Sequence, residues 1–273
     1  MATQEITSPN RMQELSKSDK KGQYTLWQIL GIWALVSLPM ALLSWVIAPA
    51  IIPYSPLHPG ITYWLLMIGG MAWQFAVSLV IMYRELCTLR WSAIRQRTWL
   101  QTPRDPRTDQ PNRRLFWWVF PPLLFSGLTG FALADYLDAP MAWLFPALQP
   151  AQFMEIKQLA SPEFQGQWWL LGIAIVSCIF NYFLGEEFLW RGVLLPKMHG
   201  VFGRYDWVAN AVLFGFYHLH KPWALPSVIV SNLAISWPAA RFRSNWMAII
   251  VHGVEGIPIP VMTLAVILGL VTG

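Results

Sequence analysis

Long apolar segments alternate with polar connections along the whole chain. A transmembrane helix needs about 20 apolar residues, and the four longest runs meet that length, whereas a transmembrane strand would be much shorter and strictly alternating. Four shorter runs follow, and prolines punctuate them. The eight runs are 24–46, 61–83, 115–137, 169–195, 207–220, 227–240, 245–256 and 257–270. The pattern predicts an all-α, polytopic membrane protein with about eight transmembrane helices, several of them short or broken in the C-terminal half, where the last two runs are candidates for one kinked span.

Composition supports a membrane protein. Of 273 residues, 55% are hydrophobic and only 12% are charged, which is about half the charged fraction of a typical soluble domain. A single water-soluble core of this length would lack the polar surface to cover itself. The 17 tryptophans fit interface anchors and packing residues, since tryptophan collects where the bilayer meets water.

Basic residues predict the orientation. The chain carries a net charge of +5, but its lysines and arginines lie between the apolar runs, which indicates membrane topology and no nucleic-acid partner. The tail 1–23 and the loop after the second run are rich in them, whereas 48–60 has none. We therefore expect a multi-pass protein of the cell membrane with a cytoplasmic N-terminus. The arginine-rich loop is also expected on the cytoplasmic side, with Leu86, Leu89, Trp91 and Ile94 on the lipid headgroups.

Three segments are predicted along the chain. Residues 1–23 form a polar cytoplasmic tail, 24–166 hold the N-terminal helices and their loops, and 167–273 form a helical core that carries the chemistry. No internal repeat is visible, which leaves transporter-type symmetry without support. Cys87 and Cys178 indicate neither a disulfide framework nor a cysteine metal site.

Two adjacent carboxylates and an arginine interrupt the fourth run. Ionisable residues in a membrane span are costly and usually mark function. Successive helix positions differ by about 100°, so Glu186 and Glu187 should have different roles. Glu187 and Arg191 are four residues apart in the favourable order for an ion pair, which predicts structural support. Glu186 has no such local partner and is the candidate general base.

Histidines mark two further positions in the apolar C-terminal half. His218 and His220 would lie about 200° apart on a helix, so at most one should face the interior alongside Glu186. His218 is the deeper candidate, because His220 precedes Lys221 and Pro222 at an expected helix end. His252 and Glu255 would share a helix face three residues apart, which makes Glu255 an additional candidate.

Depth along the helices tests whether these groups can meet. With a rise of about 1.5 Å per residue, Glu186 lies about 13 Å from the cytoplasmic end of its run, His218 about 16 Å, and His252 about 12 Å. The three side chains are therefore expected at similar depth on three helices. They would be more accessible from the cytoplasmic side.

These residues form a recognisable set of motifs. Glu186, Glu187 and Arg191 fit E-E-x-x-x-R, Phe214 and His218 fit F-x-x-x-H, and His252 falls where an H-x-x-x-N motif is expected. Over about 168–270 the chain resembles the CPBP family, which comprises CAAX proteases and bacteriocin-processing or immunity proteins. The resemblance implies an eight-helix intramembrane endopeptidase that acts on a membrane-associated peptide or prenylated protein. It further implies that Glu186 and His218 activate a water molecule and that His252 binds the oxyanion or the water.

One position departs from the family motif. Gly256 stands where the family has an asparagine, so the role of that asparagine cannot be transferred; Asn181 and Asn232 are alternative donors. An ionised Glu255 cannot donate to an oxyanion and does not replace it. A mixed set of histidine and carboxylate also suits zinc, and the version with an open position for water uses Glu186, His218 and His252 as ligands.

Two other functions stay open beside the endopeptidase. A membrane scaffold or immunity protein on the same fold would tolerate Gly256, and a proton- or metal-coupled transporter would also use intramembrane glutamate and histidine. The sequence contains no H-E-x-x-H, G-x-S-x-G or G-x-G-D motif, which removes the main support for three other protease classes.

Overall fold

The computed structural model describes residues 22–271. Nearly all of the predicted tail 1–23 therefore lies outside the described residues. Within them the chain is helical, as predicted, and no β-strand is formed beyond one isolated bridge between Arg104 and Pro111.

The first half of the described chain holds three long helices and two short ones. They are α1 (Leu26–Tyr54), α2 (Pro59–Leu86), α3 (Trp91–Arg97), α4 (Arg113–Ala132) and α5 (Ala134–Leu144). Helix α1 begins with a capping box, in which Thr25 accepts from the backbone of Gln28 and the Gln28 side chain accepts from the backbone of Thr25. Short 3₁₀ turns connect α5 to the second half.

The second half of the described chain holds five main helices and one short helix, His199–Phe202. The main helices are α6 (Trp169–Lys197), α7 (Asp206–Tyr217), α8 (Leu225–Phe242), α9 (Asn245–Glu255) and α10 (Pro258–Ile267). Helices α7 and α8 pack against each other, and α8 also contacts α4 and α9. Helix α8 is thus the centre of this half.

The predicted count of eight transmembrane helices is not confirmed. Five helical segments of the described chain are long and apolar enough to cross a bilayer: α1, α2, α4, α6, and α9 with α10 as one continuous segment. Helix α7 has only 12 residues. Helix α8 carries buried polar side chains instead of a continuous apolar surface, namely Ser227, Ser231, Asn232 and Ser236.

The outer surface of the long helices is apolar. Trp27, Leu38, Leu124 and Val261 are all more than half exposed. Apolar surface on this scale is stable only against lipid or another apolar partner. The fold is therefore that of a multi-pass membrane protein.

The main core joins α1, α2, α6 and α7. Met40 of α1 and Met71 of α2 pack with Phe188 and Trp190 of α6 and Tyr217 of α7. Aromatic contacts reinforce this cluster, including Trp190 with Tyr217 at 5.6 Å between ring centroids. The core encloses the part of α6 that holds Glu186 and Glu187.

Helix α6 is not a regular α-helix around the glutamates. Residues Phe180–Leu184 and Phe188–Leu194 are π-helical, and the amide of Gly185 donates to the carbonyl of Phe180 at 2.7 Å. A Cβ at position 185 would lie 2.6 Å from the Phe180 oxygen and 3.0 Å from the Met71 oxygen of α2. Glycine is required here because both contacts are with backbone atoms, which cannot rotate away.

We predict that Gly185→Ala destabilises the protein by about 1–3 kcal/mol, because the added methyl forces α6 away from α2. Thermal unfolding in detergent measures the change as a lower apparent Tm. Gly172→Ala on the same helix is the matched control, since no atom lies within 4 Å of its added Cβ, and alanine favours the helix. Equal Tm values for the two variants would contradict the proposed close approach.

Candidate active site

Glu187 lies at the centre of a fully buried polar network. Its Oε1 accepts from Arg191 Nη1 at 2.9 Å, which confirms the predicted ion pair. The same oxygen lies 2.8 Å from His252 Nδ1. Glu187 therefore also orients the imidazole of α9, a contact that the spacing along α6 did not reveal.

The Arg191 guanidinium is enclosed on every side by polar or aromatic groups. It donates to Ser236 Oγ from Nε at 3.3 Å and to Asn232 Oδ1 from Nη2. Its Cζ atom lies 4.3 Å from the Phe214 ring centroid, a cation–π contact. The ion pair thereby fixes α6 against α7 and α8.

The Glu186 carboxylate is held by donors from two helices. Tyr217 donates its hydroxyl to Oε1 at 3.1 Å and itself accepts from Gln74 Nε2 at 2.7 Å. With its amide oriented to satisfy its neighbours, Asn181 donates from its nitrogen to Glu186 Oε1 and Oε2 at 3.0 and 2.8 Å. His252 Nε2 lies 4.0 Å from Glu186 Oε2. Glu186 itself is only 4% exposed.

The π-helical segment explains how Asn181 reaches Glu186. The two residues are five positions apart, and a π-helix has an i→i+5 repeat, so it brings such positions onto one face. In a regular α-helix they would diverge by about 140°. From the sequence, Asn181 was only an alternative donor, since no sequence signal marks the change of helix type.

His218 and His220 are both buried, and within the described residues neither forms a hydrogen bond or ion pair with Glu186. Helix α7 ends at Tyr217 and continues as a 3₁₀ turn, to which α-helical angles do not apply. Their ring centroids are 5.2 Å apart. His218 Nδ1 is paired with the Phe214 carbonyl at 2.9 Å, which leaves Nε2 as its free nitrogen, whereas Nδ1 of His220 has no hydrogen-bond partner among the described residues.

Tyr182 occupies the space where a side chain at position 256 would lie. A Cβ on Gly256 would fall 2.0 Å from Cε2 of Tyr182. The Tyr182 ring also packs edge-on against His252, with centroids 4.8 Å apart. An asparagine at position 256 therefore does not fit beside Tyr182, and the amide that contacts the Glu186 carboxylate belongs to Asn181.

The structure brings together Glu186, Glu187, Arg191, Phe214 and His252, with His218 packed on Phe214 at 4.8 Å between ring centroids. Glu255 is different, since no hydrogen bond or ion pair within 22–271 joins it to this group and its Oε1 has no partner there. Asn232 contacts Arg191 and not Glu186. Gln74 and Tyr217 belong to the site and were missed, because ordinary polar residues in apolar runs resemble core residues.

The residues expected to bind zinc do not form a ligand set. Within the described chain, no three His, Cys, Asp or Glu side chains are grouped as a metal site. The geometry therefore gives no support to zinc ligation by Glu186, His218 and His252.

We predict that Arg191→Met destabilises the protein by about 3–5 kcal/mol, because it leaves Glu187 buried without its cation. Apparent Tm in detergent measures the loss, and Glu187→Gln combined with Arg191→Met should recover part of it by removing both charges. Arg241→Met, at an exposed arginine of α8, is the control. A single variant as stable as that control would contradict the role of the ion pair.

Comparison with family models gives a match in the second half of the chain. Residues 167–256 match the model of the family described as type II CAAX prenyl endopeptidase Rce1-like, over about a third of the chain. Neither the curated proteins nor the solved structures gave a match. The family match confirms the resemblance to CAAX proteases over the segment that contains Glu186, Glu187, Arg191, His218 and His252.

Proposed function

We propose that this protein is an intramembrane endopeptidase of the CAAX protease type that uses glutamate and histidine to activate water. The observation that carries this proposal is the Glu186 carboxylate, which is buried, bounded by Asn181 and Tyr217, and 4.0 Å from His252. A carboxylate fixed in this way beside an imidazole has the composition of a general acid–base site. The family match over 167–256 supports the same reaction class.

Glu186 is the proposed base. It takes a proton from a water molecule while the water oxygen attacks the carbonyl carbon of the peptide, which forms a tetrahedral oxyanion. The protonated Glu186 then passes that proton to the leaving nitrogen as the C–N bond breaks. Atoms and charge balance with water as the only co-reactant, and no step requires a metal.

The two histidines have separate proposed roles. The free Nε2 of His218 orients the attacking water, since Nδ1 is held by the Phe214 carbonyl. Nε2 of His252 faces Glu186 because Nδ1 is paired with Glu187. In the imidazolium form, in which both nitrogens donate, Nε2 stabilises the oxyanion. Glu187 and Arg191 act as positioning residues for that imidazole.

The proposed substrate is a membrane-associated peptide, with a prenylated protein tail as its leading form. A site enclosed by membrane helices is reached most readily by a chain that is itself anchored in the bilayer. The proposed location is the cell membrane with the N-terminus in the cytoplasm, as the distribution of basic residues indicates.

We predict that Glu186→Gln lowers kcat by about 10²–10⁴-fold, because glutamine keeps the shape of the side chain but cannot accept the proton of water. Cleavage of a farnesylated CAAX peptide by the purified full-length protein in nanodiscs, followed by mass spectrometry, is the measurement. His199→Ala is the control, since His199 is exposed and lies outside the cluster.

Two outcomes would favour the other functions. A folded Glu186→Gln variant that retains full biological activity indicates a scaffold or immunity protein. Substrate-dependent flux in liposomes, without peptide cleavage, indicates a transporter.

We predict that Asn181→Ala lowers kcat by about tenfold, because Glu186 loses a donor to each of its oxygens. Asn181→Asp should be more harmful, since it places a second carboxylate against Glu186. The pH dependence of kcat separates the two variants, because the aspartate alters the charge next to the base. A pH profile and kcat equal to those of the unaltered protein in both variants would remove Asn181 from the site.

A further inference from the structure

A cavity of about 410 Å³ lies between α3, the loop after it, and the beginnings of α4 and α9. None of its lining residues belongs to the Glu186 group. Its wall combines aromatic rings, polar side chains and one cation. The aromatic and polar lining residues are Trp91, Arg95, Gln101, Thr102, Phe116 and Trp246. No acidic residue lines it.

Two hydrogen bonds to backbone carbonyls fix the position of the cavity wall. The amide of Asn245, at the start of α9, donates to the carbonyl of Trp99 at 2.7 Å. The Ser244 hydroxyl donates to the carbonyl of Gln101 at 2.6 Å. The loop that carries Gln101 and Thr102 is thus anchored to the start of α9, and the cavity is bounded by fixed elements.

Arg95 is the unneutralised cation of the cavity. Its side chain is exposed, and no residue within 22–271 forms a hydrogen bond or ion pair with its guanidinium. Its neighbour Arg97, in contrast, is paired with Glu85 at 2.7 Å. An exposed guanidinium beside a cavity without acids is complementary to an anion, and its planar fork matches a phosphate.

Nearby carboxylates do not supply that anion, because they have other partners. Asp109 is shared by Arg104 and Arg243. The hydrogen bond from Arg104 is the main cause that holds the pKa of Asp109 below its ordinary value, so the carboxylate stays ionised within that group. Asp105 caps the backbone amides of Arg107 and Thr108.

Exposed tryptophans place the cavity at the depth of lipid headgroups. Trp91 is 55% exposed, and Trp117 and Trp118, in the first turns of α4, are 71% and 50% exposed. Tryptophan is enriched at the boundary between the bilayer core and water. The molecules available to the cavity at this depth are therefore the lipid headgroups.

We propose that this cavity binds the headgroup of an anionic phospholipid. Arg95 contacts the phosphodiester, while Trp91, Phe116 and Trp246 pack on the glycerol and the first acyl carbons. Trp246 stacks on Phe183 of α6, with centroids 5.9 Å apart and planes 18° apart. The bound lipid thus adjoins the π-helical segment of α6, and it stabilises the fold independently of the proposed peptidase reaction.

The test uses the full chain in phosphatidylcholine nanodiscs with increasing phosphatidylglycerol. Bound lipid is counted by native mass spectrometry, and apparent Tm is recorded in parallel. Arg95→Gln should weaken phosphatidylglycerol binding about fivefold and abolish most of the rise in Tm. Arg90→Gln is the matched control, because it removes one exposed positive charge from the same loop without lining the cavity; its binding should stay within about twofold of the unaltered protein.

Three results would overturn the proposal. Equal losses in Arg95→Gln and Arg90→Gln would mean diffuse attraction between a basic loop and an anionic surface. Equal binding of phosphatidylglycerol and phosphatidylcholine would mean that the cavity does not recognise the negative charge of the headgroup. Stabilisation of the detergent-solubilised protein by inorganic phosphate alone, as large as that by phosphatidylglycerol, would mean a free-anion site. If Arg95→Gln fails to fold, Arg95→Lys replaces it, and it should bind more weakly than Arg90→Gln because it lacks the planar fork.

Discussion

The buried charge of Glu187 is the constraint on which the rest of the site depends. A carboxylate removed from water is costly unless it is paired and hydrogen-bonded. Arg191 supplies the opposite charge, and Ser236, Asn232 and Phe214 then satisfy the guanidinium. One ion pair on α6 thus dictates polar or aromatic residues on α7 and α8. It also determines where the imidazole of His252 lies, because both Arg191 and His252 contact the same oxygen of Glu187.

The unusual geometry of α6 permits the two glutamates to take different roles. The π-helical segments and the close approach at Gly185 bring Asn181 onto the face of Glu186, while Glu187 points to Arg191. His252 lies between the two carboxylates, 2.8 Å from one and 4.0 Å from the other. Glu187 is thus held in a structural ion pair, whereas Glu186 lies beside Tyr217 and His252, whose side chains can exchange protons.

Part of this site could be predicted from the sequence. Apolar run lengths indicated helices, the spacing of Glu187 and Arg191 indicated their ion pair, and the depth of Glu186 and His252 indicated their meeting. Other features could not be predicted. The change to a π-helix has no residue signature, the 3₁₀ turn after Tyr217 buried His220 as well as His218, and Gln74 lies on α2, far from any motif. The number of membrane-spanning helices could not be predicted either, because the polar side chains of α8 are buried against neighbouring helices, and that packing is not visible in the sequence.

The contact between Tyr182 and Gly256 has a consequence for how this site can vary. A large ring at position 182 and a side chain at position 256 exclude each other, since they would occupy the same volume. An exchange at position 256 alone is sterically blocked, whereas a smaller residue at 182 opens the way for it. Positions 182 and 256 can therefore change only together. An asparagine at 256 would require a smaller residue at 182, and the asparagine side chain would then occupy the space beside His252.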